Sequence, residues 1–127
     1  MSQRRRRLGA WGEWVVRRHL AGQGYRIREA NFRCAAGEID IVAEKDGCLA
    51  FMEVRTKSSP NLGTPEESVT PAKRQRLVNL AHTYLQTHEG LPPEWRIDVV
   101  AVEVDSSGKV ARLEIIENAV GEDGGPA

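Results

Sequence analysis

Three acidic and two basic residues are spaced so that they would share one face of a hairpin. Glu38, Asp40, Glu53, Arg55 and Lys57 lie in two runs, GEIDIVAE from Gly37 and LAFMEVRTK from Leu49, which alternate with period two around Asp46-Gly47. Asp-Gly between two alternating runs is a strong signal for a two-residue hairpin turn. With those two as the turn, Lys45 pairs with Cys48, Glu44 with Leu49, Val42 with Phe51, Asp40 with Glu53, and Glu38 with Arg55. Period two then puts Glu38, Asp40, Val42, Phe51, Glu53, Arg55 and Lys57 on one face. The other face reads Ile39, Ile41, Ala43, Ala50, Met52 and Val54, all apolar, and must be core.

The register has a chemical consequence. Directly opposed residues hold their Cβ atoms ~4.5–5.5 Å apart, and two ionised carboxylates at that distance destabilise a sheet. Either one carboxyl takes a proton or a divalent cation sits between them. Carboxylate oxygens with no histidine or cysteine nearby suit Mg²⁺ or Mn²⁺ better than zinc. Arg55 and Lys57, further along the same face, would then hold a phosphate against that metal. These are the parts of metal-assisted phosphodiester hydrolysis. The alternative is a solvated hairpin face, against which stands the presence of Val42 and Phe51 among the charges.

The elements that must position this face follow from patterning. Leu8, Trp11, Val15, Val16 and Leu20 recur at helical spacing from Leu8 to about Gln23, where Gly24 stops the helix. Gly12 falls inside that apolar arc and is read as allowing close approach to a sheet. Tyr25 to Asn31 forms a first strand, the hairpin supplies two more, and Ser58 to Val69 is a loop rich in Ser, Pro and Gly. A second helix has Thr70 as N-cap, Pro71 at its first position and Gly90 past its end. Trp95 to Val104 reads as a buried central strand, and Val110 to Glu117 as the last strand. The expectation is one α/β domain in the order α-β-β-β-α-β-β over residues 8–120, with a basic arm at 1–7 and a disordered tail at 121–127.

Charge and composition narrow the partners. The 127 residues carry zero formal net charge, yet residues 1–33 hold nine Arg against Glu13 and Glu29, and the remainder is correspondingly acidic. Such asymmetry marks a protein that meets a polyanion on one side. The arginines at 4–7, together with Asn31, Arg33, Lys73 and Arg76, are the candidate phosphate contacts, or else solvated charges. None implies base readout. No apolar stretch is long enough for a membrane helix, and the basic N-terminus lacks the apolar region of a secretory signal, so a cytoplasmic location is expected. Cys34 and Cys48 form no zinc pattern, and the hairpin register keeps them ~36 Å apart, too far for a disulfide.

Gly37-Glu38-Ile39-Asp40, followed after twelve residues by Glu53-Val54-Arg55-Thr56-Lys57, resembles the PD-(D/E)xK nuclease superfamily. More closely, the chain resembles the YraN-type bacterial family, itself similar to archaeal Holliday-junction resolvases. The resemblance spans about residues 8–120 and includes Gly9, Glu13, Asn31, Arg33, Gly63, Lys73, Arg76, Tyr84-Leu85, Arg96 with Asp98, and Asn118-Ala119. It implies a restriction-endonuclease-like fold, a mixed central sheet flanked by helices. It also implies that Asp40, Glu53 and the Val54 carbonyl ligate a metal, with Glu13 approaching from the first helix. The sequence departs from the superfamily at Arg55, which stands where a lysine is usual. Arginine stabilises phosphate charge but stays protonated and cannot act as a base; Lys57, ~6.6 Å further along the strand, is the substitute on offer. The readings are therefore a Mg²⁺- or Mn²⁺-dependent endonuclease on DNA rather than RNA, with branched DNA in view; a non-catalytic nucleic-acid-binding module; and a scaffold or homodimer with its tryptophans at an interface.

Overall fold

A computed structural model describes residues 3–58 and 63–125. The chain forms α1 (Gln3–Gly22), β1 (Arg26–Cys34), β2 (Gly37–Lys45), β3 (Cys48–Lys57), a short 3₁₀ turn at Glu66–Ser68, α2 (Pro71–Thr87), β4 (Glu94–Val104) and β5 (Val110–Val120). The helices and strands follow the expected order. The five strands lie side by side in sequence order. β3 and β4 are parallel, joined through α2, and every other pair is antiparallel.

Each helix covers one face of the sheet. Leu77, Leu80, Ala81 and Tyr84 of α2 pack with Val42, Phe51, Ile97 and Val99. Val16 and Leu20 of α1 pack with Ile41, Ala50, Met52 and Val102. A strand with a helix on both sides must be apolar on both, and Ile97 to Val102 of β4 is buried without interruption. Gly12 makes the close approach read from the sequence, since a Cβ there would lie 1.9 Å from the Thr56 Oγ1 of β3. Thr70 caps α2 as expected, its hydroxyl accepting from the Lys73 N–H at 3.1 Å.

At the end of the sheet where the hairpin turns, Asp98 is wholly buried. It accepts from Arg96 Nε at 3.0 Å and from the Asn118 N–H at 2.9 Å, while Arg96 Nη2 donates to the Tyr25 hydroxyl at 3.0 Å. This chain of bonds ties the entry to β1 to β4 and β5.

Several boundaries differ from the sequence reading. α1 begins at Gln3, so Arg4 to Arg7, expected as an arm before the helix, are its first turns; arginine is a good helix former. β1 runs on to Cys34 and β5 to Val120, because ladder bonds to β2 and β4 continue past the polar residues at which each strand was expected to stop. The tail was expected to be disordered, yet Gly121 donates to the Gly125 carbonyl at 2.7 Å and Arg74 Nε to the Gly124 carbonyl at 3.3 Å. Residues 126–127 lie outside the described residues, as do 59–62 of the Ser58–Val69 loop.

The hairpin register is as read from Lys45↔Cys48 to Ile41↔Met52. The expected faces fail beyond that. Asn31 falls opposite Asp40, between the pairs Ala30↔Ile41 and Phe32↔Ile39, and has a φ of 56°. Asparagine tolerates this left-handed conformation, and one such residue breaks the alternation locally. Ile39, expected beside Ile41 against a single core, packs with Phe32 and Leu80 on the α2 side, while Ile41 stays on the α1 side.

Candidate metal centre and active site

The break at Asn31 and Asp40 is where the acidic residues converge. Asn31 Nδ2 donates to Glu13 Oε1 at 2.8 Å and to Glu38 Oε1 at 2.7 Å. Glu13, Glu38 and Asp40 each bring a carboxylate oxygen within 4.8 Å of the other two. Asn31, a candidate phosphate contact in the sequence, therefore spans two acids and aligns them.

Asp40 lies beside a second carboxylate, Glu53. The ladder to β3 stops at Ile41↔Met52, and the Asp40 carboxylate takes the Val54 N–H at 2.8 Å in place of a backbone partner. Burial first, and the neighbouring Glu53 carboxylate second, push its pKa up from 3.8 to about 7, with the Val54 N–H opposing. The Asp40↔Glu53 cross-strand pair expected from the register does not form, because the ladder ends one residue earlier, but the two carboxyls remain close enough to interact. Glu13 is raised as well, by burial and then by Asp40, with the Asn31 hydrogen bond opposing.

Glu53 is only 4% exposed, and its charge is answered by cations. Arg55 Nη2 lies 2.9 Å and Lys73 Nζ 3.6 Å from its Oε2. Lys73, read as a phosphate contact on α2, thus reaches into the site from the first turn of that helix. The expected Glu38–Arg55 pair does not form. Glu38 lies opposite Arg33 of β1 and bonds its Nε at 2.9 Å, because β1, not β3, continues beside β2 there. Arg33 therefore neutralises a member of the acidic group. Lys57 donates to the Gly63 carbonyl, which draws it to the loop side of the site. The Val54 contact with Asp40 runs through its N–H.

These groups line a cavity of about 800 Å³, whose wall includes Glu13, Glu38, Asp40, Glu53, Val54 and Arg55. Lys57 and Lys73 stand at it too, as do Arg5 and Arg6 of α1. Arg76 does not line it, and its side chain lies over Gly37, whose Cβ would meet Arg76 Cδ at 3.2 Å. Arg5 and Arg6 are site residues that the motif did not single out. A signal for them exists: stepping back eight and seven residues from Glu13 gives Arg5 and Arg6 on the same helical face. The fit to a divalent cation rests on the donors. Crowded carboxylate oxygens suit an oxygen-preferring cation, and Glu13, Glu38 and Asp40 are placed to hold one, with Glu53 beside Asp40.

Among the described residues, no helix is long and apolar enough to cross a membrane. The chain matches the model of "Uncharacterised protein family UPF0102" over residues 12–102. It is 49% identical over 124 residues to a UPF0102 protein of Roseiflexus castenholzii, covering 96% of this chain and 99% of that one. It is 48% identical over 119 residues to one of Moorella thermoacetica, covering 94% and 99%. A UPF0102 protein of Symbiobacterium thermophilum is 44% identical over 114 residues, covering 90% and 96%. The matched span holds Glu13, Asn31, Glu38, Asp40, Glu53 and Lys73, while Arg5 and Arg6 of the cavity wall precede it, and the chain belongs to the UPF0102 (YraN-type) family.

Proposed function

We propose that this protein is a metal-dependent nuclease with a restriction-endonuclease-like fold, acting on phosphodiester bonds of DNA, branched DNA included. One observation carries the reading: the carboxylates of Glu13, Glu38 and Asp40 converge within 4.8 Å in a cavity that also presents Arg5, Arg6, Arg55, Lys57 and Lys73. Acids alone would repel a phosphodiester. Acids walled by cations accept one once their own charge is met.

Mg²⁺ or Mn²⁺ bound by these carboxylates would polarise a phosphoryl oxygen and lower the pKa of a coordinated water. The chain's own residues supply the rest. Asn31 holds Glu13 and Glu38 in place, and the Val54 N–H fixes Asp40. Arg55, protonated and anchored on Glu53, offers its remaining donors to the phosphate. Lys73, from α2, adds a second cation at the same carboxylate.

The test is cleavage of labelled linear, branched and single-stranded DNA with Mg²⁺ or Mn²⁺, comparing the wild type with Asp40→Ala and Glu53→Ala. The expected result is metal-dependent cleavage that falls by at least ~100-fold in either variant, the scale of removing one electrostatic contributor. Unchanged cleavage in both variants would overturn the site. Salt-dependent binding with no cleavage under any metal would leave a nucleic-acid-binding module, the reading that Arg55 in the lysine position favours.

A further inference from the structure

The chemistry above makes no use of Trp14. α1 turns Gly12, Val16 and Leu20 to the sheet, and Trp11 packs against the same core. Trp14 is two residues from both Gly12 and Val16, about 160° around the helix from each at 3.6 residues per turn. It is accordingly 48% exposed. Among the described residues the other exposed large apolar side chain is Val110, at the start of β5. Trp14 is therefore not part of an apolar patch of the kind a protein partner buries.

Its surroundings are cationic. α1 carries six arginines against the single acid Glu13. Arg7 and Arg18 lie seven residues before and four after Trp14, on one exposed line of the helix. The Arg18 guanidinium sits 5.1 Å from the centre of the indole, which holds the ring in one orientation. Ala10, one turn before Trp14 on that line, is part of the cavity wall, so the surface leads into the acidic site.

We infer that the outer face of α1 is a docking surface for single-stranded nucleic acid, with an unpaired base stacked on Trp14 and flanking phosphates on Arg7 and Arg18. An aromatic ring held among cations is the arrangement that binds single strands without sequence preference: the ring takes the face of any base and the cations take the backbone. Duplex bases are stacked on each other and present no free face. The inference rests on the nucleic-acid reading of the cavity and deepens it, because the preferred substrate then has an unpaired segment beside the phosphate that is cut.

The test uses the full chain bearing Asp40→Asn, to prevent cleavage, and follows anisotropy of labelled oligothymidylate, oligouridylate and a blunt duplex of equal length. Trp14→Ala should weaken the single strands about tenfold, the scale of one base–aromatic stack, while duplex affinity changes less than twofold. Trp14→Phe should restore most of the loss, and should abolish the quenching of intrinsic fluorescence that single strands produce with Trp14 in place. Tighter binding of the deoxy or the ribo strand identifies which polymer the surface serves. The inference is overturned if Trp14→Ala leaves single-strand affinity unchanged, or weakens duplex and single strand equally. Duplex binding without single-strand binding by the parent chain sinks this surface alone. Binding of neither at low salt sinks the nucleic-acid reading with it.

Discussion

Asp40→Asn should make this protein more stable at pH 8 and leave its stability unchanged at pH 4. In the folded chain, burial and the Glu53 carboxylate raise the Asp40 pKa from 3.8 to about 7. Between those two values the folded state holds a proton that the unfolded state has released, so stability falls as pH rises and the loss is complete above pH 7. Over that interval the cost is on the order of 4 kcal/mol. Asparagine keeps the carbonyl that accepts from the Val54 N–H and removes the charge, but still buries a polar amide. Recovery of about half, roughly 2 kcal/mol, is expected, which for a domain of this size is a Tm rise of roughly 8 °C. Thermal melts of both proteins from pH 4 to pH 8 measure it. Added Mg²⁺ or Mn²⁺ should raise the Tm of the wild type at pH 8 and not that of the variant, because the gain from a ligand follows its affinity for the folded state. A Tm difference that stays constant across pH, or a variant less stable than wild type at pH 8, would refute the argument that charge repulsion is stored at Asp40.

Two further outcomes follow from packing. Gly12→Ala places a Cβ 1.9 Å from Thr56 Oγ1, a buried hydroxyl with no partner among the described residues; it should cost about 2 kcal/mol in urea denaturation. Adding Thr56→Ala should return more than half of that cost, and strict additivity of the two changes would count against the contact. Asp98→Ala strips a buried acceptor from Arg96 and from the Asn118 N–H and should cost about 3 kcal/mol; a loss below ~1 kcal/mol would mean that both donors find other partners.

The site was legible in the sequence where local patterning decides geometry. The Asp46-Gly47 turn sets a register that holds from Lys45↔Cys48 to Ile41↔Met52, and that register brings Asp40 towards Glu53. Glu13 was placed on the first helix by the family resemblance, and Gly12 by its position in an apolar arc. The Glu38–Arg55 pair was not recoverable, because which strand lies beside Glu38 depends on β1, and its Arg33 takes that place. Lys73 and Arg76 lie three residues apart in the same helix, yet one reaches Glu53 and the other covers Gly37. Only the packing of α2 on the sheet separates them.

The sequence by itself determined the order of the elements, the register of the hairpin and the kinds of side chain available for chemistry. Each of these follows from interactions between near neighbours in the chain: period-two and helical patterning, a turn dipeptide and a capped helix. The tertiary structure decided how those side chains are used. A single left-handed residue, Asn31, breaks the alternation opposite Asp40. The packing of both helices then brings Glu13, Arg5, Arg6 and Lys73 to the same cavity. Charges find their partners through space, and the pleat of one strand carries no information about which strand or helix will supply them.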